Sequence, residues 1–145
     1  MSVGRICVRE VDTAEPYETV YVAAERMLQR AVGSLVVVDD VDQPIGIVTD
    51  RDLVERVLAK QRNPNDTFVR DVMSPDLKTI QENEAIEMAL GVMRRGRFRR
   101  VPVVDGNGRL VGLVSLDDIL MLLAQEFTQI GRLLEQETPR CVVTA

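Results

Sequence analysis

Histidine and tryptophan are both absent from the 145 residues. The first absence removes the commonest general base and the commonest metal ligand, so no metal site is expected. Aromatic residues make up only 3% of the chain, too few for the stacking platforms that hold single-stranded nucleic acid. The net charge of −5 opposes a general attraction to nucleic acid or to an anionic membrane surface. Cysteine occurs twice, as Cys7 and Cys141, with no CxxC or metal-ligand spacing. That usage fits reduced thiols in the cytoplasm, with a disulfide between the two as the minor alternative. There is no basic-then-apolar leader and no apolar run long enough to cross a bilayer, so the expected compartment is the cytoplasm. With neither histidine nor a nucleophile–base pairing, the chain is expected not to be an enzyme.

What is present is a repeat. Residues 101–118 read as two short β-branched runs around Asp105-Gly106-Asn107-Gly108, a β-hairpin whose turn residues tolerate positive φ. The same arrangement precedes it, as Leu35-Val36-Val37-Val38-Asp39-Asp40, then Ile45-Gly46-Ile47-Val48, then Thr49-Asp50-Arg51-Asp52. Gly46 and Gly112 are 66 positions apart, and that offset without a gap also pairs Val3 with Val69, Thr13 with Thr79, Glu18 with Glu84, Met27 with Met93 and Asp39 with Asp105. The chain is therefore two copies of one unit. A lone unit of about 60 residues is marginally stable, so the copies are expected to pack together. The expected organisation is a first unit at 1–62, a second at 63–124, and a helical extension and tail at 125–145.

Each unit reads β-α-β-β-α, which makes the fold α+β. Each opens on an extended or irregular lead-in (2–11 and 69–75), followed by a short strand at 11–13 or 77–80. Apolar residues at three- and four-residue spacing predict a helix over 18–31, with a counterpart carrying Ile86, Ala89, Leu90 and Met93. Gly33-Ser34 and Gly96 supply the stops. A second helix follows each hairpin, at 52–60 and from Asp118 onward. The polar, proline-broken stretch 61–66 is a linker. Leu120, Leu123, Phe127, Ile130, Leu133 and Leu134 continue a helical period beyond the repeat. That stripe is expected either to fold back on its own core or to pack on a second chain, and the residues after Pro139 are expected to fray.

The residues that could carry chemistry are Gly46-Ile47-Val48-Thr49-x-x-Asp52 and Gly112-Leu113-Val114-Ser115-x-x-Asp118. A hydroxyl followed three residues later by a carboxylate at a helix start is a capping box. It also suits a phosphate or sugar oxygen beside the hydroxyl and a ribose on the carboxylate, with the glycine letting a ligand approach the backbone. Five arginines cluster at Arg94, Arg95, Arg97, Arg99 and Arg100. The first two suit a helix C-terminus, whereas Arg99 and Arg100 open a strand, where guanidinium forks could grip phosphate. The matching positions in the first copy are Gly33 and Ser34, so the two clefts are expected to differ. Arg51 could serve a phosphate or pair with Asp50 or Glu55.

The tandem β-α-β-β-α units, the Gly-x-x-Thr/Ser-x-x-Asp endings, the Arg99-Arg100-Val101-Pro102-Val103-Val104-Asp105 strand and the Val69-x-Asp71-Val72-Met73-Ser74-Pro75 approach together resemble the cystathionine β-synthase (CBS) domain family. Two units in tandem resemble a Bateman module. The resemblance runs from about Val3 to about Ala124. It implies sheets packed about a pseudo-twofold axis, two clefts that bind adenosine-containing ligands, and pairing of two modules into a disc. Position by position it implies Thr49 and Asp52 as ribose and phosphate contacts of one cleft, and Ser115 and Asp118 of the other. It implies Thr13, Ala14, Thr79 and Ile80 along the adenine pockets, with Arg99 or Arg100 at phosphate. The expected ligands are AMP, ADP or ATP, or else S-adenosylmethionine or NAD, with no obligatory cofactor. The expected function is a homodimeric regulatory sensor that reports to an unknown protein target, and the alternative is a ligand-independent dimerisation or interaction scaffold. No fused output domain is expected.

Overall fold

The computed structural model describes residues 1–96 and 98–137. Arg97, Pro139 and Cys141 lie outside the described residues. The first repeat contains β1 (Thr13–Ala14), α1 (Val20–Arg30), β2 (Ser34–Val38), β3 (Pro44–Thr49) and α2 (Asp50–Leu53), the last continuing as a π-helical turn over Val54–Leu58. The second contains α3 (Val69–Val72), β4 (Ile80–Gln81), α4 (Ile86–Gly96), β5 (Arg100–Val104), β6 (Leu110–Ser115) and α5 (Leu116–Glu137). Each repeat builds a three-stranded mixed sheet, with orders β1-β2-β3 and β4-β5-β6. The first strand of each is parallel to the second and the hairpin is antiparallel. This is the α+β tandem arrangement that the repeat predicts.

The hairpins match residue for residue. Val37 pairs with Gly46 and Val103 with Gly112, each just before a register shift. Both turns are held by an aspartate: Asp39 Oδ1 accepts from Val41 N and Gln43 N, and Asp105 Oδ1 from Asn107 N and Arg109 N. The left-handed position is Gly108 (φ 79°) in one turn and Asp42 (φ 61°) in the other. Asp is among the few non-glycine residues that tolerate this region.

Prolines shift the short strands. Val36 N donates to Asp12 O at 3.1 Å and so helps start β1 at Thr13. The counterpart of Val36 is Pro102, which has no N–H, and β4 starts one position later at Ile80. At the other end Glu82 N donates to Val104 O at 2.9 Å, while its counterpart in the first repeat is Pro16.

The lead-in segments depart from the sequence reading. Part of each is a helical turn rather than extended or irregular chain: Val3–Arg5 forms a 3-10 turn and Val69–Val72 is α3. Each packs into the opposite repeat. Val69 and Val72 are fully buried with Ala14, Ala23, Leu35, Val37 and Val48, while Val3 is fully buried with Ile86, Ala89, Val101, Val103 and Val114. Val69 N donates to Glu18 O and Arg70 N to Pro16 O, and the symmetric bonds run from Val3 N to Glu84 O and from Gly4 N to Glu82 O. The chain then crosses the other hairpin, where Ser74 and Ile47 exchange both backbone bonds (2.9 and 3.2 Å), as do Val8 and Leu113 (2.9 Å each).

Two further corrections concern helix ends. The left-handed residue that stops α1 is Ala31 (φ 54°), with Val32 N closing on Met27 O at 3.0 Å, and not the Gly33-Ser34 pair. The C-terminal stripe does not fold back on its own core. Within α5, Ile119 is fully buried, whereas Leu120, Leu123, Phe127, Ile130, Leu133 and Leu134 are between 39% and 71% exposed.

Candidate functional site

Thr49 closes β3 and begins α2, and Ser115 does the same between β6 and α5. Both motifs form complete capping boxes. Asp52 Oδ2 accepts from Thr49 N at 2.9 Å while Asp52 N donates to Thr49 Oγ1 at 3.1 Å. Asp118 Oδ2 accepts from Ser115 N at 3.0 Å and from Ser115 Oγ at 2.8 Å, and Asp118 N donates back to Ser115 Oγ at 3.1 Å. The cap occupies one oxygen of each carboxylate and leaves Oδ1 outside it. Asp52 Oδ1 lies 3.8 Å from Arg56 Nε, and Arg56 also donates to Val72 O. The counterpart of Arg56 is Leu122, so Asp118 has no equivalent cation.

Both motifs open into cavities between the repeats. The first cavity, about 190 Å³, is lined by Ile47, Thr49 and Asp52 of one repeat and by Ser74, Asp76, Leu77, Lys78, Phe98 and Arg100 of the other. The second, about 340 Å³, has Leu113, Ser115 and Asp118 facing Val8, Glu10, Val11, Asp12, Val32 and Ser34. Every described lining residue of the first has its 66-offset counterpart in the second. A third cavity of about 240 Å³ lies between them. It shares Ile47, Thr49, Phe98 and Arg100 with the first and Ser34, Val36, Leu113 and Arg100 with the second.

The charges do not follow the symmetry. Lys78 and Arg100 accompany Asp52 and Asp76 in the first cleft. In the second, the positions of Lys78 and Arg100 hold Asp12 and Ser34, beside Glu10 and Asp118, and Arg100 reaches it from the other repeat. Asp12 is itself paired with Arg30, whose Nε lies 2.7 Å from Asp12 Oδ1.

The other sequence candidates fall outside this arrangement to different degrees. Arg99 pairs with Asp117 at 3.2 Å and lines only the connecting cavity. Arg51 pairs with Glu55 at 2.7 Å on the exposed helix surface, an interaction that holds the Glu55 carboxyl below its ordinary range. Thr13 and Ala14 form β1 and line a separate groove of about 1090 Å³, with the Ala14 side chain in the core. Thr79 precedes β4, and Ile80 is buried in the second core. Gly46 and Gly112 have a role unlike the ligand approach expected of them. A Cβ on Gly46 would lie 2.6 Å from Met73 Sδ and 2.9 Å from Ser74 O, and one on Gly112 2.6 Å from Cys7 Sγ and 3.0 Å from Val8 O. The glycines admit the crossing lead-ins.

Sequence reasoning missed Asp76, Leu77, Lys78 and Phe98, and with them Glu10, Val11 and Asp12. The 66-offset pairs these residues, but nothing local indicates that a lead-in faces the other repeat's motif. Among the described residues, no group of three or more His, Cys, Asp or Glu is arranged to hold a metal ion, and no helix is long and apolar enough to cross a membrane. Cys7 is a free thiol whose pKa is pushed up by burial.

Comparison with known proteins agrees with this architecture. The CBS domain model matches residues 3–59 and 69–125. An uncharacterized protein of Methanopyrus kandleri is 40% identical over 122 residues, covering 84% of this chain and 62% of its own length. Hypoxic response protein 1 of Mycobacterium tuberculosis is 34% identical over 119 residues, covering 82% of this chain and 78% of its own. Among solved structures, the CBS domain pair of protein MJ0100 in complex with 5′-methylthioadenosine and S-adenosylmethionine superposes with a TM-score of 0.75 at 25% identity, over 87% of this chain and 98% of that one. CBSX2 in complex with AMP superposes with a TM-score of 0.73 at 26% identity, over 86% and 96%. The repeat, the paired mixed sheets and these matches lead to one conclusion: the chain belongs to the CBS domain family, as a tandem pair.

Proposed function

We propose that the chain is a sensor that binds adenosine-containing ligands of the AMP, ADP and ATP class between its repeats and passes occupancy to a partner protein. The observation that carries this reading is the correspondence of the two clefts, in which all nine described lining residues of the first have counterparts in the second. Packing alone does not require a hydroxyl and a half-capped carboxylate to face the opposite lead-in twice. The chemistry suits the ligand. Ile47, Leu77 and Phe98 offer apolar surface to a base, Asp52 Oδ1 can accept from a ribose hydroxyl, and Lys78 and Arg100 supply charge for phosphate. Relatives crystallised with AMP, or with S-adenosylmethionine and methylthioadenosine, support the same class.

The output surface in this reading is α5. Ser115 and Asp118 cap the helix that carries Leu120, Leu123, Phe127, Ile130 and Leu134 at alternating three- and four-residue spacing, the seam of a two-stranded coiled coil. A ligand that engages the cap shifts the arrangement of α5 only to the extent that it binds one arrangement more tightly. The same exposed seam favours the second reading, a homodimerising scaffold that needs no ligand.

Calorimetric titration of ligand-free protein with AMP, ATP, NAD and S-adenosylmethionine, beside Asp52→Ala and Asp118→Ala variants, separates the two. Binding that one variant loses and the other keeps supports the sensor. Absence of binding at millimolar ligand, with a dimer that Phe127→Glu dissociates in sedimentation, favours the scaffold.

A further inference from the structure

Among the described residues, Arg100 is the only one that lines the first cleft, the second cleft and the cavity joining them. It begins β5 directly across from Ser115, the hydroxyl of the second motif, yet it also reaches the cavity of Thr49 and Asp52. Among the described residues no ion pair engages its guanidinium, unlike that of its neighbour Arg99, which is held by Asp117. The symmetry-related position does not supply a second cation. Ser34 sits across from Thr49 in the same register and lines the second and joining cavities.

The two clefts therefore depend unequally on one arginine. The first has Lys78 as well, against Asp52 and Asp76. In the second, Arg100 is the only lining cation among the described residues and faces Glu10, Asp12 and Asp118. Even with Asp12 neutralised by Arg30, two carboxylates remain against one guanidinium. A phosphate in the first cleft draws Arg100 toward it and leaves the described lining of the second with acidic, hydroxyl and apolar groups, which oppose an anion.

Building on the adenosyl-sensor reading, we infer that Arg100 is a shared specificity residue. It makes the clefts take a phosphate-bearing ligand one at a time, with the Thr49–Asp52 cleft preferred, and reserves the Ser115–Asp118 cleft for an adenosyl ligand without phosphate. The two ligand kinds then occupy one chain together, while two phosphate-bearing ligands exclude each other.

Calorimetry on the full chain tests this with AMP as the anionic probe and 5′-methylthioadenosine as the uncharged one. The expected result is one AMP per chain, with methylthioadenosine still binding to AMP-saturated protein. Ser34→Arg, which gives the second cleft its own guanidinium, is expected to raise the count to two AMP per chain, and Ser34→Lys serves if the arginine variant melts early. Arg100→Ser is expected to weaken AMP at least tenfold. Two equivalent, independent AMP sites in the unaltered protein would overturn the sharing while leaving the sensor reading intact. So would a folded Ser34→Arg that still takes one. Failure of both probes to bind any variant would overturn the sensor reading and this inference with it.

Discussion

The first cleft sets Lys78 and Arg100 beside Asp52 and Asp76, and the second sets Asp12 and Ser34 at the same places beside Asp118 and Glu10. The backbone around these positions is nearly identical in the two repeats, from the Gly46 and Gly112 pairings to the Thr49 and Ser115 caps. Geometry and charge are therefore set by separate residues. Positions that hold the chain in place carry the same or similar residues in both copies. Two of the positions that face the cavity differ in charge, Lys78 against Asp12 and Arg100 against Ser34, so a symmetric scaffold presents two chemically unlike sites.

Three measurements test how far the symmetry of the two repeats extends. The largest effect is expected at the crossing points, because an added methyl there meets backbone as well as side chain. Gly46→Ala and Gly112→Ala are each expected to destabilise the fold by about 1–3 kcal/mol in urea denaturation, as overpacking does. Comparable losses would establish that both crossings bear on stability equally, and a silent Gly112→Ala would show that the symmetry is only superficial. The caps come next. Asp52→Ala and Asp118→Ala each remove a capping box, worth roughly 0.5–2 kcal/mol. Asp118→Ala is expected to lose more, because Asp118 also accepts from Ser115 Oγ and starts the 22-residue α5. Hydrogen exchange should show the added loss in the first turns of α5, and equal effects would deny that difference. The smallest effect concerns Ala31, exposed and left-handed where glycine is the ordinary stop. Ala31→Gly is expected to stabilise by up to about 1 kcal/mol by removing the strain of a Cβ in that region, read as a raised denaturation midpoint. An unchanged midpoint would mean that the end of α1 tolerates alanine without strain.

Much of the fold was legible because its signals are local. Alternation and turn residues mark the hairpins, apolar spacing marks α1 and α4, and a single gapless offset makes each copy a check on the other. The cap motifs were legible for the same reason, since hydroxyl and carboxylate lie three residues apart. Two features are not legible locally. Nothing near Gly46 or Gly112 in sequence shows that Met73 or Cys7 lies against them, so a ligand approach is the local expectation. Residue preference favours Gly33-Ser34 as the stop of α1, whereas the hydrogen bond from Val32 to Met27 places the turn at Ala31.

Local sequence suffices for the two units of one kind, the elements each contains, and the hydroxyl and carboxylate that begin each second helix. These follow from side-chain period and backbone preference, properties that act over a few residues. Long-range packing is what makes Val3 and Val69 complete the opposite cores, sets Lys78 and Asp12 against motifs of the other repeat, and puts Arg100 between two clefts. Those placements follow from burying each lead-in's apolar residues against the sheet of the opposite repeat, which is distant in the chain. Burial is nondirectional, so its partner is chosen by how the whole chain packs.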